Sequence, residues 1–307
     1  MKKEIRKITG VIPPIITPFK NNGDLDLDAF IRNVHKWEAE PLAGYLVNGS
    51  NGEAVFLSFV EKITLVKSVV EHASPDRVII TGTGCESRRE TVELTNACAD
   101  QGADCALVLT PHYYRSEMTS EALEKFYLQV ADLSRIPILI YHVPKFSHID
   151  LSPGVIARLS LHPNIIGMKA SSGDINQLSA FYEAVNEDFK IFIGTASLWF
   201  ESLTLGINTG IMALANCYPK LCEQIHVDFQ IGNLKRALAI QEILRPVNHA
   251  LTAKYGIPGL KYACGLLGYA GGDVRSPLLS CSETVKQEIR GIIKTAETEL
   301  HALVIND

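Results

Sequence analysis

Two hydrophobic patterns alternate along the chain. Short, near-continuous apolar runs recur at residues 11–16, 44–47, 77–81, 104–109, 136–141, 165–169, 190–193 and 210–214. Runs of that length fit strands buried on both faces, as in a parallel sheet covered by helices. Between them the apolar positions take helical spacing. Ile63, Val66 and Val70 share a face behind Ser58 and Glu61, which are spaced as a capping box, and Ser87 and Glu90 repeat that spacing. Ser152 precedes Pro153 as a cap precedes a proline at the first helical position. Leu123, Phe126, Tyr127 and Val130 mark another apolar face. Eight strands alternating with helices predict an α/β fold, a (β/α)8 TIM barrel. A doubly wound open sheet is the alternative. Gly82-Thr83-Gly84 lacks the third glycine of a dinucleotide fingerprint, which favours the barrel.

Past residue 230 the strand pattern fades and helical spacing takes over, ending in a helix near residues 283–302. The expected division is a barrel carrying the active site over residues 1–230 and a C-terminal helical region over 231–307.

Composition narrows the function. The chain has 307 residues, 29 Lys and Arg against 34 Asp and Glu, and a net charge of −5. A mildly acidic chain with no long basic run is a poor ligand for nucleic acid or an anionic membrane. No apolar run approaches the ~18 residues of a membrane span. The first ten residues are basic and lack an apolar segment, so no secretory signal is expected. The seven cysteines form no C-x-x-C pair, which predicts reduced thiols in the cytoplasm and no zinc site.

In such a barrel the chemistry sits at the C-terminal ends of the strands. Lys169 ends the sixth apolar run, where partial desolvation would lower its pKa and free a neutral amine to attack a carbonyl. Tyr141 ends the neighbouring strand, so its phenol could pass protons near that amine. Ser50, between Gly49 and Gly52, offers a hydroxyl to a carboxylate or a proton relay, or simply makes a tight turn. Glu53 is an acid or base, or a carboxylate holding backbone amides. Ser171 and Ser172 cap the next helix or touch ligand. His142, His148 and Asp150 match no metal-ligand spacing.

These residues resemble a known family. Gly49-Ser50-Asn51-Gly52-Glu53, Thr110-Pro111-His112-Tyr113-Tyr114, Tyr141-His142-Val143-Pro144 and Gly167-Met168-Lys169 follow the order and spacing of the dihydrodipicolinate synthase / N-acetylneuraminate lyase family. The likeness runs from about residue 8 to 279 and includes Lys261 in a G-I-P-G-L-K run. It implies a Schiff-base aldolase on a (β/α)8 barrel, with no metal and no organic cofactor beyond a covalent imine on Lys169. By resemblance Tyr141, Ser50 and Tyr113 carry protons, with Tyr113 reaching into a neighbouring subunit's site. Asn51, Gly194 and Ile211 line the 2-oxo acid, Ser171 and Phe146 are further substrate-binding candidates, and the partners are a small 2-oxo acid and an aldehyde.

Within the family the chain looks most like 4-hydroxy-2-oxoglutarate aldolases, on Gly84-Cys85-Glu86-Ser87, Tyr113-Tyr114-Arg115 and Ala213-Leu214-Ala215-Asn216. It departs from dihydrodipicolinate synthases at Phe146, where they carry an arginine that binds the aldehyde's carboxylate. Phe146, His148 and Trp199 are expected to shape a pocket for a less polar aldehyde. On the likeness of those motifs the leading expectation is retro-aldol cleavage of a 4-hydroxy-2-oxoglutarate-like substrate to pyruvate and an aldehyde, while the Phe146, His148 and Trp199 pocket points away from it. The alternatives are a 4-hydroxy-tetrahydrodipicolinate synthase-like condensation, a 2-keto-3-deoxy sugar acid aldolase or dehydratase, and a non-catalytic 2-oxo-acid sensor. A homodimer or homotetramer follows from the resemblance.

Overall fold

A computed structural model describes residues 4–305. The first three residues of the basic N-terminal stretch and the last two of the C-terminal region lie outside the described residues. The strands are β1 (Gly10–Ile12), β2 (Gly44–Val47), β3 (Val78–Gly82), β4 (Cys105–Leu109), β5 (Ile138–His142), β6 (Ile165–Ala170), β7 (Lys190–Ile193) and β8 (Thr209–Ile211). They form one sheet in the order β1-β8-β7-β6-β5-β4-β3-β2, and every ladder is parallel. Its two edges meet. Ala43 N–H donates to Val11 O (2.9 Å), Leu46 N–H to Pro13 O (3.0 Å) and Ile15 N–H to Leu46 O (3.0 Å). The sheet thus closes into a (β/α)8 barrel.

Two strands stop two or more residues before the ends of their apolar runs. The run at 11–16 stops at Ile12 because Pro13 and Pro14 have no N–H to extend the ladder. The run at 210–214 stops at Ile211, and Ala213–Asn216 forms a 3-10 turn. The buried Asn216 side chain accepts from Ile16 N–H (3.1 Å) and donates to Pro14 O (3.0 Å), which ties the ends of β8 and β1 together.

Side chains alternate between two layers. Ile12, Leu46, Ile80, Leu107, Leu139, Phe192 and Ile211 fill the barrel, and Ile5 joins them ahead of β1. Val11, Tyr45, Val47, Ile79, Val108, Ile140, Met168 and Ile191 face the helices. These are α1 (Leu27–Glu38), α2 (Phe59–His72), α3 (Arg88–Asp100), α4 (Ser120–Leu133), a short α5 (Pro144–Ser147), α6 (Pro153–Leu159), α7 (Ile175–Ala184), α8 (Trp199–Thr204) and α9 (Pro219–Gln230). Their starts follow the cap residues. Ser58 and Glu61 form a reciprocal box, Ser87 accepts from Glu90 N–H at 3.1 Å, and Ser152 accepts from Val155 N–H at 3.4 Å.

One irregularity positions the site. Between β5 and β6 the register steps from Ile138↔Ile165 to Leu139↔Gly167 and leaves Ile166 as an extra residue. Ile165 and Met168 face the helices, while Ile166 faces the barrel interior. Strict alternation from Ile165 would turn Lys169 outward. The bulge resets the phase, so Lys169 points inward.

Beyond α9 come α10 (Leu234–Asn248), a π-helical turn (His249–Lys254) after Pro246, α11 (Gly256–Leu266) and α12 (Glu283–Ile305).

Candidate active site

Tyr141 and Lys169 are register partners on adjacent strands. Lys169 is 3% exposed, and its Nζ lies 4.6 Å from the centroid of the Tyr141 ring. A buried ammonium without a carboxylate partner is costly, so burial drives the group towards the neutral amine. Its pKa falls from 10.5 to about 7. Tyr141 Oη shares a hydrogen bond of 3.4 Å with Ser50 Oγ. Burial raises the phenol's pKa, and the Ser50 and Ser171 hydroxyls work the other way. Ser171 lies near enough for that effect but outside hydrogen-bond geometry, and its buried Oγ has no partner among the described residues.

The loop after β2 places Ser50. Asn48 (φ +57°) and Glu53 (φ +57°) bracket the turn Ser50–Gly52, both left-handed. Asn48 tolerates that region better than most residues. Its Nδ2 donates to Lys62 O (3.0 Å) and Thr81 Oγ1 (3.3 Å). A Cβ at Gly82 would overlap Asn48 O, so the neighbouring strand must carry glycine there. Asn51 follows in the same turn, and the amides of Ser50 and Asn51 open it without intrahelical acceptors.

Glu53 is fully buried and serves as a strut. Lys261 Nζ, on α11, meets its Oε1 at 2.7 Å, and Arg275 N–H donates to its Oε2 at 2.8 Å. Lys261 also donates to Thr17 O (2.8 Å) and Asp273 O, and Thr17 Oγ1 donates to Gly52 O (2.8 Å). With both oxygens engaged and no exposure, Glu53 is not part of the wall of the cavity beside Tyr141 and Ser50. Of its two sequence readings, the one that holds backbone amides applies, with a buried lysine that the sequence did not pair with it.

A cavity of about 260 Å³ opens beside Tyr141 and Ser50, between the loops after β2, β3 and β4. Lys62, Cys85, Glu86 and His112 also line it. Glu86 Oε2 accepts the amides of His112 and Tyr113 at 2.9 Å each, which anchors the loop after β4. The Tyr113 ring is 77% exposed and stands edge-on to Tyr114 at 5.1 Å.

The other candidates fall into three places. Gly194 lies against Ser171: its N–H donates to Ala170 O (2.7 Å), and a Cβ on it would overlap Ser171 Oγ. Ile211 is buried inside the barrel. Phe146, on α5, is 47% exposed and does not line the cavity. Lys145 Nζ donates to Thr252 O (3.2 Å). His148 is exposed, in the left-handed region (φ +53°) that ends α5. Trp199 is fully buried and donates Nε1–H to Cys222 O (2.8 Å). Hence the expected pocket of Phe146, His148 and Trp199 does not form. Trp199 is core, and Phe146 on α5 and His148 just past its end turn to the surface.

His142 faces the helices. Its Nε2 meets Asp150 Oδ1 at 2.8 Å and its ring stands edge-on to Phe181, and burial lowers its pKa. Asp174, and neither serine, caps α7, accepting from Asn176 N–H at 2.9 Å. Among the described residues no three His, Cys, Asp or Glu side chains are grouped to hold a metal. All seven cysteines are free thiols. No helix of the described residues is long and apolar enough to cross a membrane.

A buried lysine at a strand end, its pKa lowered to about 7 by burial, beside a hydrogen-bonded tyrosine–serine pair is an arrangement suited to imine chemistry. Comparison with known proteins identifies the family. The Dihydrodipicolinate synthetase family matches residues 7–296. A 4-hydroxy-tetrahydrodipicolinate synthase of Methanothrix thermoacetophila is 35% identical over 285 residues, 92% of this chain and 95% of that one. One from Cereibacter sphaeroides is 33% identical, covering 94% and 99%. Among solved structures, a chloride-inhibited dihydrodipicolinate synthase of Acinetobacter baumannii complexed with pyruvate superposes with a TM-score of 0.89 at 29% identity, covering 95% and 99%. The chain belongs to the dihydrodipicolinate synthetase family. It is a pyruvate-dependent class I aldolase, a lyase of the Schiff-base type that works without an external cofactor.

Proposed function

We propose that Lys169 is the imine-forming lysine and that the chain joins pyruvate to an aldehyde, a reading supported by its similarity to proteins named 4-hydroxy-tetrahydrodipicolinate synthase. The observation that carries this reading is the buried Lys169 amine, with a pKa of about 7, held over the Tyr141 ring. The neutral amine adds to the pyruvate ketone to give a carbinolamine, and loss of water gives the imine. Loss of a C3 proton makes the enamine, whose C3 attacks the aldehyde carbon, and hydrolysis frees the lysine and the product. Tyr141 and Ser50, sharing a hydrogen bond, carry protons to and from the carbinolamine oxygen and the aldehyde oxygen. The open amides of Ser50 and Asn51, with Ser171, hold the pyruvate carboxylate, and Gly194 and Ile211 back the methyl side. Tyr113 acts in a second subunit's site, which makes a homodimer the smallest active unit. Seven free thiols fit a cytoplasmic setting, and residues 231–307 serve as an appendage that braces the barrel through Lys261.

A second reading runs the same steps backwards. A 4-hydroxy-2-oxo diacid bound as the imine loses its C4 hydroxyl proton, the C3–C4 bond breaks, and an aldehyde leaves before the enamine is protonated at C3. Phe146, standing outside the cavity where a synthase carries an arginine, favours this direction. The two readings separate by product. Consumption of pyruvate with aspartate semialdehyde supports the synthase, and release of pyruvate from 4-hydroxy-2-oxoglutarate supports the aldolase. Turnover of either by a folded Lys169→Ala variant would defeat both.

A further inference from the structure

The turn that carries Ser50 is held from the far end of the chain. Between α11 and α12 a strap of chain crosses the loops after β1 and β2. Ala270 exchanges two hydrogen bonds with the Asn33 side chain (2.7 and 2.9 Å), and Asp273 N–H donates to Phe19 O (3.1 Å). A Cβ on Gly272 would meet Phe19 N at 2.8 Å, so the strap lies flush on the loop after β1. Arg275 ends the crossing. Its N–H donates to Glu53 Oε2 (2.8 Å). Its guanidinium donates to Phe56 O (2.8 Å), to both Glu61 oxygens (2.6 and 2.9 Å) and to Gly23 O (2.6 and 3.0 Å). Every guanidinium N–H is thereby engaged. Glu53, Phe56 and Glu61 all lie between the Ser50 turn and the first turn of α2. Lys261 reaches the same turn through Glu53 and Thr17. The Phe19 ring packs against both cations, 4.6 Å from Lys261 Nζ and 4.3 Å from Arg275 Cζ.

Stability alone does not account for this frame. A buried ion pair brings little net stability over an apolar pair of the same size, yet two acid–base pairs, Glu53–Lys261 and Glu61–Arg275, grip one turn. Glu53 also sits at φ +57°, a left-handed conformation that costs a residue with a side chain about 1 kcal/mol or more. Such backbone persists only where its surroundings over-determine it, and here both Glu53 oxygens are held. The Ser50–Tyr141 contact, at 3.4 Å, is long for a hydroxyl pair, where about 2.7–2.8 Å is usual, so a small shift of the turn breaks it. We infer that Arg275 is a positioning residue for Ser50: from the strap it sets the turn that brings the Ser50 hydroxyl to Tyr141 Oη, and so governs proton transfer at the imine without touching substrate. This rests on the reading of Ser50 as a proton carrier. The C-terminal strap is then a working part of the site.

The test follows exchange of the pyruvate C3 protons for deuterium in D2O by proton NMR, which needs the imine and its enamine and no aldehyde. The full chain is compared as wild type, Ser50→Ala, Arg275→Met, Arg275→Lys and the double variants that join Ser50→Ala to each change at 275, all checked for folding by circular dichroism. Ser50→Ala and Arg275→Met should each lower the maximal exchange rate about 10- to 100-fold, the effect of losing or displacing a proton carrier. Because Arg275 acts through Ser50, the losses should not multiply: Ser50→Ala with Arg275→Met exchanges within about twofold of Ser50→Ala alone. Arg275→Lys keeps a charge for Glu61 but not the bonds to Phe56 and Gly23 together. It should lose less, show the same non-additivity, and carry the test if Arg275→Met does not fold. Losses that multiply in the double variants, or a folded Arg275→Met that exchanges at the wild-type rate, overturn the inference. If the folded wild type exchanges no deuterium, the imine reading falls. If Ser50→Ala exchanges like wild type, the Ser50 reading falls and takes this one with it. If Ser50→Ala is slow and both Arg275 variants are not, only the Arg275 assignment falls.

Discussion

Replacing Lys169 by methionine should make the protein more stable while abolishing imine formation. In the unfolded chain this lysine titrates near 10.5, and in the folded chain burial brings it to about 7. Below pH 7 both states carry the ammonium, and the folded state bears the whole cost of burying it. Between pH 7 and 10.5 the folded state is neutral while the unfolded state still binds a proton, so this cost shrinks as pH rises. Above 10.5 neither state is charged and the cost is gone. At 1.36 kcal/mol per tenfold change in proton affinity, the cost at pH 7 and below is about 5 kcal/mol. The Tyr141 ring at 4.6 Å returns about 1 kcal/mol of cation–π attraction when the amine is charged. A net gain of about 3–4 kcal/mol is expected for Lys169→Met at pH 6.5, equivalent to a Tm increase of about 5–10 °C. Thermal unfolding followed by circular dichroism from pH 6.5 to 10.5 reads it directly. The gap between variant and wild type should narrow steadily and close near pH 10.5. A variant no more stable than wild type at pH 6.5, or a gap that widens with pH, would refute the claim that burial destabilises the Lys169 ammonium.

Three further outcomes follow from the same geometry. The rate of borohydride trapping at subsaturating pyruvate should rise with pH through about 7 and then level off, because only the unprotonated amine attacks; a profile rising only above pH 9 would mean an ordinary exposed lysine. Glu53→Gln should cost about 3–5 kcal/mol of stability, measured by urea unfolding, because it leaves Lys261 charged and buried without its partner, and a loss below 1 kcal/mol would mean that the pair does not brace the loop. His148→Gly should raise stability by about 0.5–1 kcal/mol, because a left-handed residue at φ +53° favours glycine, and no change or a loss in the same assay would count against that conformation.

Much of the barrel was legible because parallel strands covered on both sides are apolar throughout, a signal that survives in eight short runs. The caps at Ser58, Ser87 and Ser152 were legible because their partners lie three residues away. What escaped depends on distance or phase. The Glu53–Lys261 pair spans 208 positions, and no local pattern marks either residue as the other's partner. The bulge at Ile166 comes from a register step between β5 and β6, which is invisible in β6 alone. Lys62, in the cavity wall, left a faint trace, a charged residue on the inward stripe of an amphipathic helix, which a reading centred on strand ends passes over. Trp199 and Phe146 were assigned to one pocket by their chemistry, yet Trp199, opening α8, packs in the helical core against α9 and the short α5 exposes Phe146.

The most direct test of the account is to incubate the full chain with pyruvate, reduce with borohydride, and weigh the intact protein and its peptides. The account predicts one adduct of reduced pyruvate per chain, confined to the peptide containing Lys169 and absent from Lys169→Met. An adduct on another lysine, or none in a protein shown to be folded, would contradict it.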